Sequence, residues 1–335
     1  MPESGEKNYS RVGVIGAGAW GTALALVAAS AGRQVSLWAR EPEVVESITA
    51  RHENELFLRG VKLLPSLKAT GDIAEAASAD AVLLVVPAQH LRSSLAAITP
   101  HVRKGTPLVL CAKGIEKGSG RLLTEILREA APDAEPAILS GPSFAIDVAR
   151  GLPTAVTVAA RNGVAGKLQA ALSHGTFRVY ASDDITGVAL GGAAKNVYAI
   201  ACGIVEGMGL GESARAAFIA RGFAELTRLG EKLGARSETL MGLSGLGDLV
   251  LTATSLTSRN FSFGYALGKG KSVAELRAPG QPLAEGAETA PALVARAKMV
   301  GIELPIAESV ARVLDGTLGL HEAFIRLMSR PLKPE

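Results

Sequence analysis

The sequence predicts an α/β domain with a doubly wound, mostly parallel sheet, followed by an all-helical domain. The chain has 335 residues, which is long for a single core. Up to about residue 185, short apolar strand-like runs alternate with helical segments, as in βαβ units. After that point the alternation stops and long helical segments follow. We therefore expect domains at residues 1–190 and 191–335.

The strand-like runs are almost continuously apolar, as expected for strands buried on both faces of a sheet. They lie at 11–15, 34–39, 81–87, 107–112, 136–140 and 154–159, with further candidates at 67–70 and 177–180. Helices are expected between them at 19–31, 41–51, 88–98, 119–130 and 163–173. In the second domain they are expected at 188–208, 212–234 and 288–301.

Composition narrows the class of protein. Hydrophobic residues make up 48% of the chain, enough for a sizeable core. The net charge of +3 without a basic run, and only 4% aromatic residues, argue against a nucleic-acid partner. This mild excess suits a small anionic ligand better than a polyanion, although the charge alone is better explained by ordinary surface chemistry.

Cys111 and Cys202 are far apart and have no nearby His pair, so we expect buried free thiols and no metal site. The polar start lacks an apolar signal core, and no uninterrupted apolar run is long enough to span a bilayer. The expectation is a cytoplasmic protein without membrane insertion.

The segment GAGAWG, residues 16–21, directly follows the first strand and opens a helix. Gly16 permits the tight turn, Gly18 lets a pyrophosphate approach the backbone, and Gly21 lets helix and strand pack closely. The helix N-terminus then offers free N–H groups to the phosphates. In this context the motif predicts a Rossmann-type dinucleotide-binding domain; the alternative is a glycine-rich turn without a ligand.

In such domains, side chains at the end of the second strand contact the adenosine ribose of the cofactor. An acidic side chain there favours NAD, whereas Arg favours the 2′-phosphate of NADP. This chain has Arg40 followed by Glu41, so NADP is permitted and the preference stays open. Arg40 could also be a solvated surface cation.

Two loops follow strands at the edge where ligands of doubly wound sheets collect. Lys113 follows one strand directly, and it is either a ligand contact or a loop cation. Gly141 and Pro142 form a turn after the next strand. Ser143 can cap the following helix, which is compatible with a ligand contact by the same loop.

The run of residues 242–264 carries only two charges, Asp248 and Arg259, which could form a partly buried salt bridge. However, Ser258, Arg259 and Asn260 combine a hydroxyl, a planar guanidinium and an amide, which suits phosphate oxygens. Asp248 could orient a lysine ammonium or accept a hydrogen bond from a substrate hydroxyl.

Lys195 is the only charged residue in the run 188–204. Hydride transfer to a carbonyl needs a proton donor, and the reverse direction needs a base; a desolvated lysine serves for both. The alternative is a lysine that snorkels from a packed helix.

Together these features resemble the bacterial NAD(P)-dependent glycerol-3-phosphate dehydrogenase family over nearly the whole chain. Seven segments look like that family's signatures in its order, which is more specific than any one motif. They are GAGAWGTALA (16–25), VLCAKGIE (109–116), LSGPSFA (139–145), GGAAKNVYAIACGI (191–204), GLSGLGDLVLT (242–252), TSRNFSFG (257–264) and AEGAETA (284–290).

The resemblance implies a helical domain like the C-terminal domain of 6-phosphogluconate dehydrogenase, and a dimer that supplies glycerol 3-phosphate for phospholipid synthesis. It implies that Lys195 accepts the proton of the substrate hydroxyl group. The implied substrate-binding residues are Lys113, Gly141, Ser143, Asp248, Ser258, Arg259 and Asn260. The implied cofactor-binding residues are Gly16, Gly18, Ala19, Trp20, Gly21, Arg40, Lys113, Ala145, Arg259, Leu283 and Glu285.

One segment, residues 52–70, departs from the family pattern. It keeps Asn54, Gly60 and Leu64-Pro65, but Phe57 stands for the usual Tyr and Arg59 for Pro, with one extra residue before Leu64. The departure affects the expected loop conformation and cofactor preference more than the expected reaction.

Two other functions remain open at this point. A related dehydrogenase could act on another hydroxy acid, such as 3-hydroxyisobutyrate or 6-phosphogluconate, although Ser258-Arg259-Asn260 argues against a substrate without phosphate. A non-catalytic sensor of nicotinamide cofactors would have no reason to keep a desolvated lysine.

Overall fold

The computed structural model describes residues 9–331, and these form two compact units. Unit 1 comprises the chain up to Lys113 and again from Leu122 to Ala189. Unit 2 comprises the loop Gly114–Arg121 and the chain from Leu190 onward. The assignment of residues 1–190 and 191–335 to two functional domains stays a prediction.

Unit 1 contains one eight-stranded sheet in the order β3-β2-β1-β4-β5-β6-β7-β8. Every neighbouring pair is parallel except β6 and β7, which are antiparallel. The mostly parallel sheet is thus confirmed. The strands are β1 Arg11–Ile15, β2 Gln34–Trp38, β3 Lys68–Thr70, β4 Ala81–Leu84, β5 Pro107–Leu110, β6 Glu135–Ser140, β7 Thr154–Ala160 and β8 Phe177–Ser182.

Within residues 9–331, seven α-helices lie entirely in unit 1 and accompany the sheet. The five predicted helices are present within a few residues, while α3 and α6 were not predicted because five residues are too few to show helical periodicity. The helices are α1 Ala19–Ser30, α2 Pro42–Arg51, α3 Ile73–Ala77, α4 Leu91–Ile98, α5 Leu123–Ala130, α6 Ala145–Ala149 and α7 Val164–Leu172.

Alternating side chains of the central strands enter two separate apolar cores. Val12 and Val14 pack on one face with residues of α1, α2, α6 and α7. Ile15 packs on the other face with residues of α3, α4 and α5. Both faces are therefore covered by helices, which is why the central strands are apolar throughout and why the sheet is doubly wound.

In the described part of unit 2 the regular elements are helices. Helix α8, Ile185–Gly207, starts in unit 1 and continues into unit 2. A π-helical turn, Leu243–Gly247, leads directly into α11. The other helices are α9 Glu212–Lys232, α10 Ser237–Met241, α11 Asp248–Ala253, α12 Arg259–Gly268, α13 Val273–Leu276, α14 Glu285–Met299, α15 Pro305–Leu314 and α16 Leu320–Met328.

Helix α8 bears on the expectation that no uninterrupted apolar run is long enough for a bilayer. By length and composition alone this helix could cross a membrane, although Lys195 and Asn196 interrupt its apolar sequence. However, 94% of its most apolar window is buried inside the fold. It is a core helix, and its apolar composition follows from burial on all sides.

Glycines let α8 and α12 touch backbone to backbone. A Cβ atom on Gly203 would overlap the carbonyl oxygen of Phe261, and one on Gly264 would overlap that of Ile200. The close approach of these two helices therefore depends on the missing side chains.

Glu225 on α9 is buried and holds the N-terminus of α15. Its carboxylate accepts hydrogen bonds from the backbone N–H groups of Ile306, at 2.7 Å, and Ala307, at 3.3 Å. Burial raises the pKa of Glu225 to about 7, although these two N–H groups act in the opposite direction.

The two cysteines, Cys111 and Cys202, are buried free thiols as predicted.

We expect Gly264→Ala to lower the stability of unit 2 by about 2 kcal/mol, because α12 must move away from α8 to admit the methyl group. Gly166→Ala on α7 is the matched control, since a Cβ there meets nothing within 4 Å. That control should stabilise by about 0.5–1 kcal/mol through helix propensity. Thermal unfolding midpoints would show this, and equal midpoints for the two variants would contradict the packing argument.

The raised pKa of Glu225 predicts a pH-dependent stability. The folded state binds this proton more tightly than the unfolded state does. The stabilisation is therefore fully present below about pH 4.3, the ordinary pKa of Glu, and is lost as the pH rises towards about 7. The excess thermal midpoint of wild type over Glu225→Gln should thus be larger at pH 5 than at pH 8. A constant difference would refute the assignment.

Candidate active site

The glycine-rich turn of unit 1 has the geometry that a pyrophosphate needs. Gly16 has φ +111°, and a Cβ on Gly21 would overlap the carbonyl oxygen of Gly16. A Cβ on Gly18 would meet nothing within 4 Å, so the space beside the turn is open. Gly18 is also the N-cap of α1 and provides no side-chain cap, which leaves the first N–H groups of a 12-residue helix for a ligand.

Asn54 lies in the loop that departs from the family pattern, and its side chain holds the glycine-rich turn in place. It is fully buried, and its Nδ2 donates to the carbonyl oxygen of Ala17 and to Oγ1 of Thr22, both at 2.8 Å. Its Oδ1 accepts from the N–H of Phe57 at 3.0 Å. The loop around residue 54 is therefore tied to the glycine-rich turn through one amide.

The predicted cofactor contacts next to the turn are partly exposed. Ala19 and Trp20 lie in the first turn of α1, and Trp20 packs against the core on that face of the sheet. Ala145 begins α6 and packs against the same core. These positions leave side-chain surface for a ligand.

Arg40 lies at a pocket beyond the end of β2. Apolar walls of this pocket come from Trp38, Ala39 and Val45. The Trp38 indole is held by a hydrogen bond from its Nε1 to the carbonyl oxygen of Gly71, at 3.2 Å. Such a pocket, with apolar side chains and an arginine among its lining residues, suits the adenosine end of a dinucleotide.

Three predicted substrate-binding residues form one cluster in unit 1. The Lys113 ammonium donates to the carbonyl oxygen of Gly141 at 3.2 Å, and the Ser143 hydroxyl donates to the same oxygen at 3.0 Å. Ser143 therefore does not cap the next helix, whose N-cap is Phe144. The cap expectation is wrong because the serine hydroxyl bonds backwards, to the residue two positions earlier.

Lys195 is buried in unit 2 with an anionic partner. Its side chain is 8% exposed and that of Asp248 is 1% exposed. The Lys195 ammonium donates to Oδ1 of Asp248 at 2.5 Å and to Oγ1 of Thr252 at 2.7 Å. Thr252 in turn donates to the same carboxylate oxygen at 3.3 Å. Of the two roles considered for Asp248, orientation of a lysine is the one this geometry supports.

The local fold explains how these residues meet. Gly191 lies one turn before Lys195 on α8, and a Cβ there would come within 2.7 Å of the carbonyl oxygen of Ser244. The π-helical turn therefore lies directly against α8, and Asp248 follows it at once. π-helical turns are frequent at functional sites.

The predicted phosphate cluster lies at the start of α12. Ser258 is the N-cap, and its hydroxyl accepts from the N–H of Phe261 at 3.2 Å. Oδ1 of Asn260 accepts from the N–H of Gly286, at 2.9 Å, in the first turn of α14. Arg259 lies between them and is exposed, so its guanidinium can reach an anion. Asp248 pairs with Lys195 rather than with Arg259, contrary to the salt-bridge alternative.

Leu283 and Glu285 lie in unit 2 beside that cluster. Leu283 is exposed, and Glu285 opens α14 one residue before Gly286. No group of three or more His, Cys, Asp or Glu residues within residues 9–331 is arranged to hold a metal ion.

The sequence reasoning did not single out Thr252 as a contact of Lys195. The signal was available, because Thr252 follows Asp248 by four residues on one helix, and such residues share a face. The sequence shows Asn54 only as a position shared with the family. Its burial and its bond to Ala17 could not be read from the sequence.

Comparison with known proteins identifies the relatives of this chain. Residues 11–165 match the family model described as NAD-dependent glycerol-3-phosphate dehydrogenase N-terminus, and residues 184–324 match that of the C-terminus. A Parvibaculum lavamentivorans glycerol-3-phosphate dehydrogenase [NAD(P)+] is 58% identical over 98% of both chains. The Caulobacter vibrioides protein of that name is 55% identical, over 98% of this chain and 99% of its own.

A solved structure resembles the whole chain. The crystal structure of glycerol-3-phosphate dehydrogenase from Coxiella burnetii has a TM-score of 0.90 and 38% sequence identity. The similarity covers 96% of this chain and 99% of that one. The fold class predicted from the sequence is thus confirmed, both for the parallel sheet and for the helical part.

Proposed function

This chain belongs to the NAD-dependent glycerol-3-phosphate dehydrogenase family, and we propose that it interconverts dihydroxyacetone phosphate and sn-glycerol 3-phosphate with NAD(P)H. The observation that carries the proposal is the buried Lys195 ammonium with its two oxygen partners, Asp248 and Thr252. Stability of the fold does not require a buried ion pair at this position, because well-packed apolar residues of similar volume often stabilise a protein as well or better.

The residues of unit 1 fit a nicotinamide dinucleotide. The open space at Gly18 and the uncapped N-terminus of α1 suit the pyrophosphate, while the pocket beside Arg40 suits the adenosine end. When bound, the cofactor supplies or accepts the hydride. The family's cofactors are NAD and NADP, and the chain provides chemistry for both at Arg40 and Glu41.

Lys195 handles the proton in this proposal. In the reducing direction its ammonium donates a proton from Nζ to the carbonyl oxygen of the substrate as negative charge develops there. In the oxidising direction the neutral amine accepts the hydroxyl proton. Asp248 and Thr252 hold the amine through two oxygens and so limit its rotamers.

The phosphate group of the substrate would bind at the start of α12. Arg259 provides a guanidinium for charge-assisted bonds, and the first turn of α12 provides backbone N–H groups. Ser258 and Asn260 contribute by fixing this turn, given their bonds to Phe261 and Gly286. Lys113, Gly141 and Ser143 stay predicted contacts in unit 1.

The biological setting is proposed from the family resemblance. We expect the product to supply glycerophospholipid synthesis and the enzyme to act in the cytoplasm as a homodimer, with a small phosphorylated substrate as its ligand.

Replacement of Lys195 tests the proposal. Lys195→Met should lower kcat for dihydroxyacetone phosphate by about 10²–10⁴-fold, because the proton donor is lost. Dissociation constants for NADH and NADPH should stay within about twofold, since the cofactor contacts inferred for unit 1 remain. Lys232→Met, on the exposed last turn of α9, is the matched control and should change neither.

Lys195→Met also leaves Asp248 buried without its partner, which costs about 3–5 kcal/mol. The double variant Lys195→Met/Asp248→Asn removes both charges and separates loss of catalysis from loss of folding. Undiminished turnover in a folded variant of either kind would overturn the proposed role of Lys195, and no turnover by the wild type would overturn the function.

Arg259 should contribute to binding of the phosphorylated substrate. We expect Arg259→Ala to raise KM for dihydroxyacetone phosphate by about 10–100-fold, the usual loss for one charge-assisted contact. Arg221→Ala on α9 is the control, since that arginine is also exposed and lies in unit 2. Steady-state kinetics measure both variants, and an unchanged KM for Arg259→Ala would remove Arg259 from the phosphate site.

A further inference from the structure

We propose that Glu41 determines the choice between NADH and NADPH, by holding the Arg40 guanidinium and by placing a carboxylate beside the position of the 2′-phosphate. The inference rests on the proposed use of a nicotinamide cofactor. It assigns a role to a residue that follows the cofactor-binding arginine directly in the sequence.

The geometry of the pair carries the proposal. Nε and Nη2 of Arg40 both donate to Oε1 of Glu41, at 3.1 and 2.8 Å. These two nitrogens form one of the edges with which an arginine grips a phosphate in a bidentate way. In this arrangement that edge is occupied by Glu41. A 2′-phosphate must therefore compete with a neighbouring carboxylate for the guanidinium.

Glu41 is the better anchored member of the pair. Its side chain is 25% exposed, whereas that of Arg40 is 80% exposed. Its backbone carbonyl oxygen accepts from the N–H groups of Val44, at 3.1 Å, and Val45, at 3.4 Å, in the first turn of α2. The long arginine side chain thus folds onto a carboxylate whose main chain is fixed.

Charge near the pocket acts in the same direction. Arg40 and Glu46 both line the pocket at the end of β2. The carboxylates of Glu41 and Glu46 repel a dianionic 2′-phosphate, whereas a ribose 2′-hydroxyl can donate a hydrogen bond to Glu41. The chain therefore combines the arginine typical of NADP sites with the acid typical of NAD sites, and Glu41 limits what Arg40 contributes.

The test measures cofactor binding without substrate. NADH and NADPH are titrated separately, with the fluorescence of the two tryptophans, Trp20 and Trp38, or with calorimetry as readout. Glu41→Gln should shift the ratio of the two dissociation constants about tenfold in favour of NADPH, as expected when one nearby charge is removed at a partly exposed site. Glu41→Ala serves as a second variant and should shift the ratio in the same direction.

Two controls separate the proposed role from general electrostatics. Glu43→Gln removes the same charge from an exposed position two residues away and should change the ratio by less than about twofold. Arg40→Ala should weaken NADPH far more than NADH. In the Arg40→Ala background, Glu41→Gln should lose most of its effect, because the carboxylate acts largely through the guanidinium.

Equal shifts for Glu41→Gln and Glu43→Gln, or no shift for both Glu41 variants, would overturn the proposal. The binding readout also keeps it apart from the proposed activity. A shifted ratio in a protein that does not turn over dihydroxyacetone phosphate would support the role of Glu41 and refute the activity. A wild type that binds neither cofactor would overturn both.

Discussion

The burial of one ammonium group is the constraint that organises unit 2. An unpaired lysine in an apolar interior would lose its proton or unfold its surroundings, because removing a charge from water costs several kcal/mol even after relaxation. Lys195 stays buried because Asp248 neutralises it and Thr252 supplies a second oxygen. These partners come from α11, so α8 and α11 must keep a fixed register. The π-helical turn before Asp248 sets that register, and its backbone lies against Gly191.

Close backbone packing is the condition under which this arrangement is possible. Helix α8 contacts the π-helical turn at Gly191 and helix α12 at Gly203, in each case where a side chain would collide. Contacts of this kind bring the start of α12 and the beginning of α11 to the same helix. They also explain why α8 resembles a membrane-spanning helix in composition, since a helix buried against backbone on several sides can carry little but small and apolar residues.

Much of the fold could be predicted from the sequence. The central strands of unit 1 were predicted within a few residues, because burial on both faces gives them continuous apolar runs. The short helices α3 and α6 were missed, since five residues carry no helical period. In unit 2 the long helices were found, whereas the π-helical turn was not, because glycine-rich segments such as GLSGLG also suit loops.

The candidate site was predictable to different degrees for a physical reason. The turn at Gly16 to Gly21 depends on the backbone conformation of six consecutive residues. The glycines that this conformation requires are therefore visible as a short sequence motif. The Lys195–Asp248 pair joins residues 53 positions apart, and only folding reveals it. Sequence reasoning could say that Lys195 needed a partner, because an isolated buried charge is not stable. It could not choose between Asp248 as that partner and Asp248 as the partner of Arg259.

Arg40 and Glu41 show a third situation, in which adjacency in the sequence does not settle the chemistry. Both residues are evident in the sequence, and each favours a different cofactor: arginine favours NADP and glutamate favours NAD. What matters is which of the two controls the other, and this follows from how they are held. Glu41 is anchored through the first turn of α2, while Arg40 is exposed and folds onto it. A charge with a fixed main chain directs a mobile one, so the acid at this site governs what the arginine can recognise.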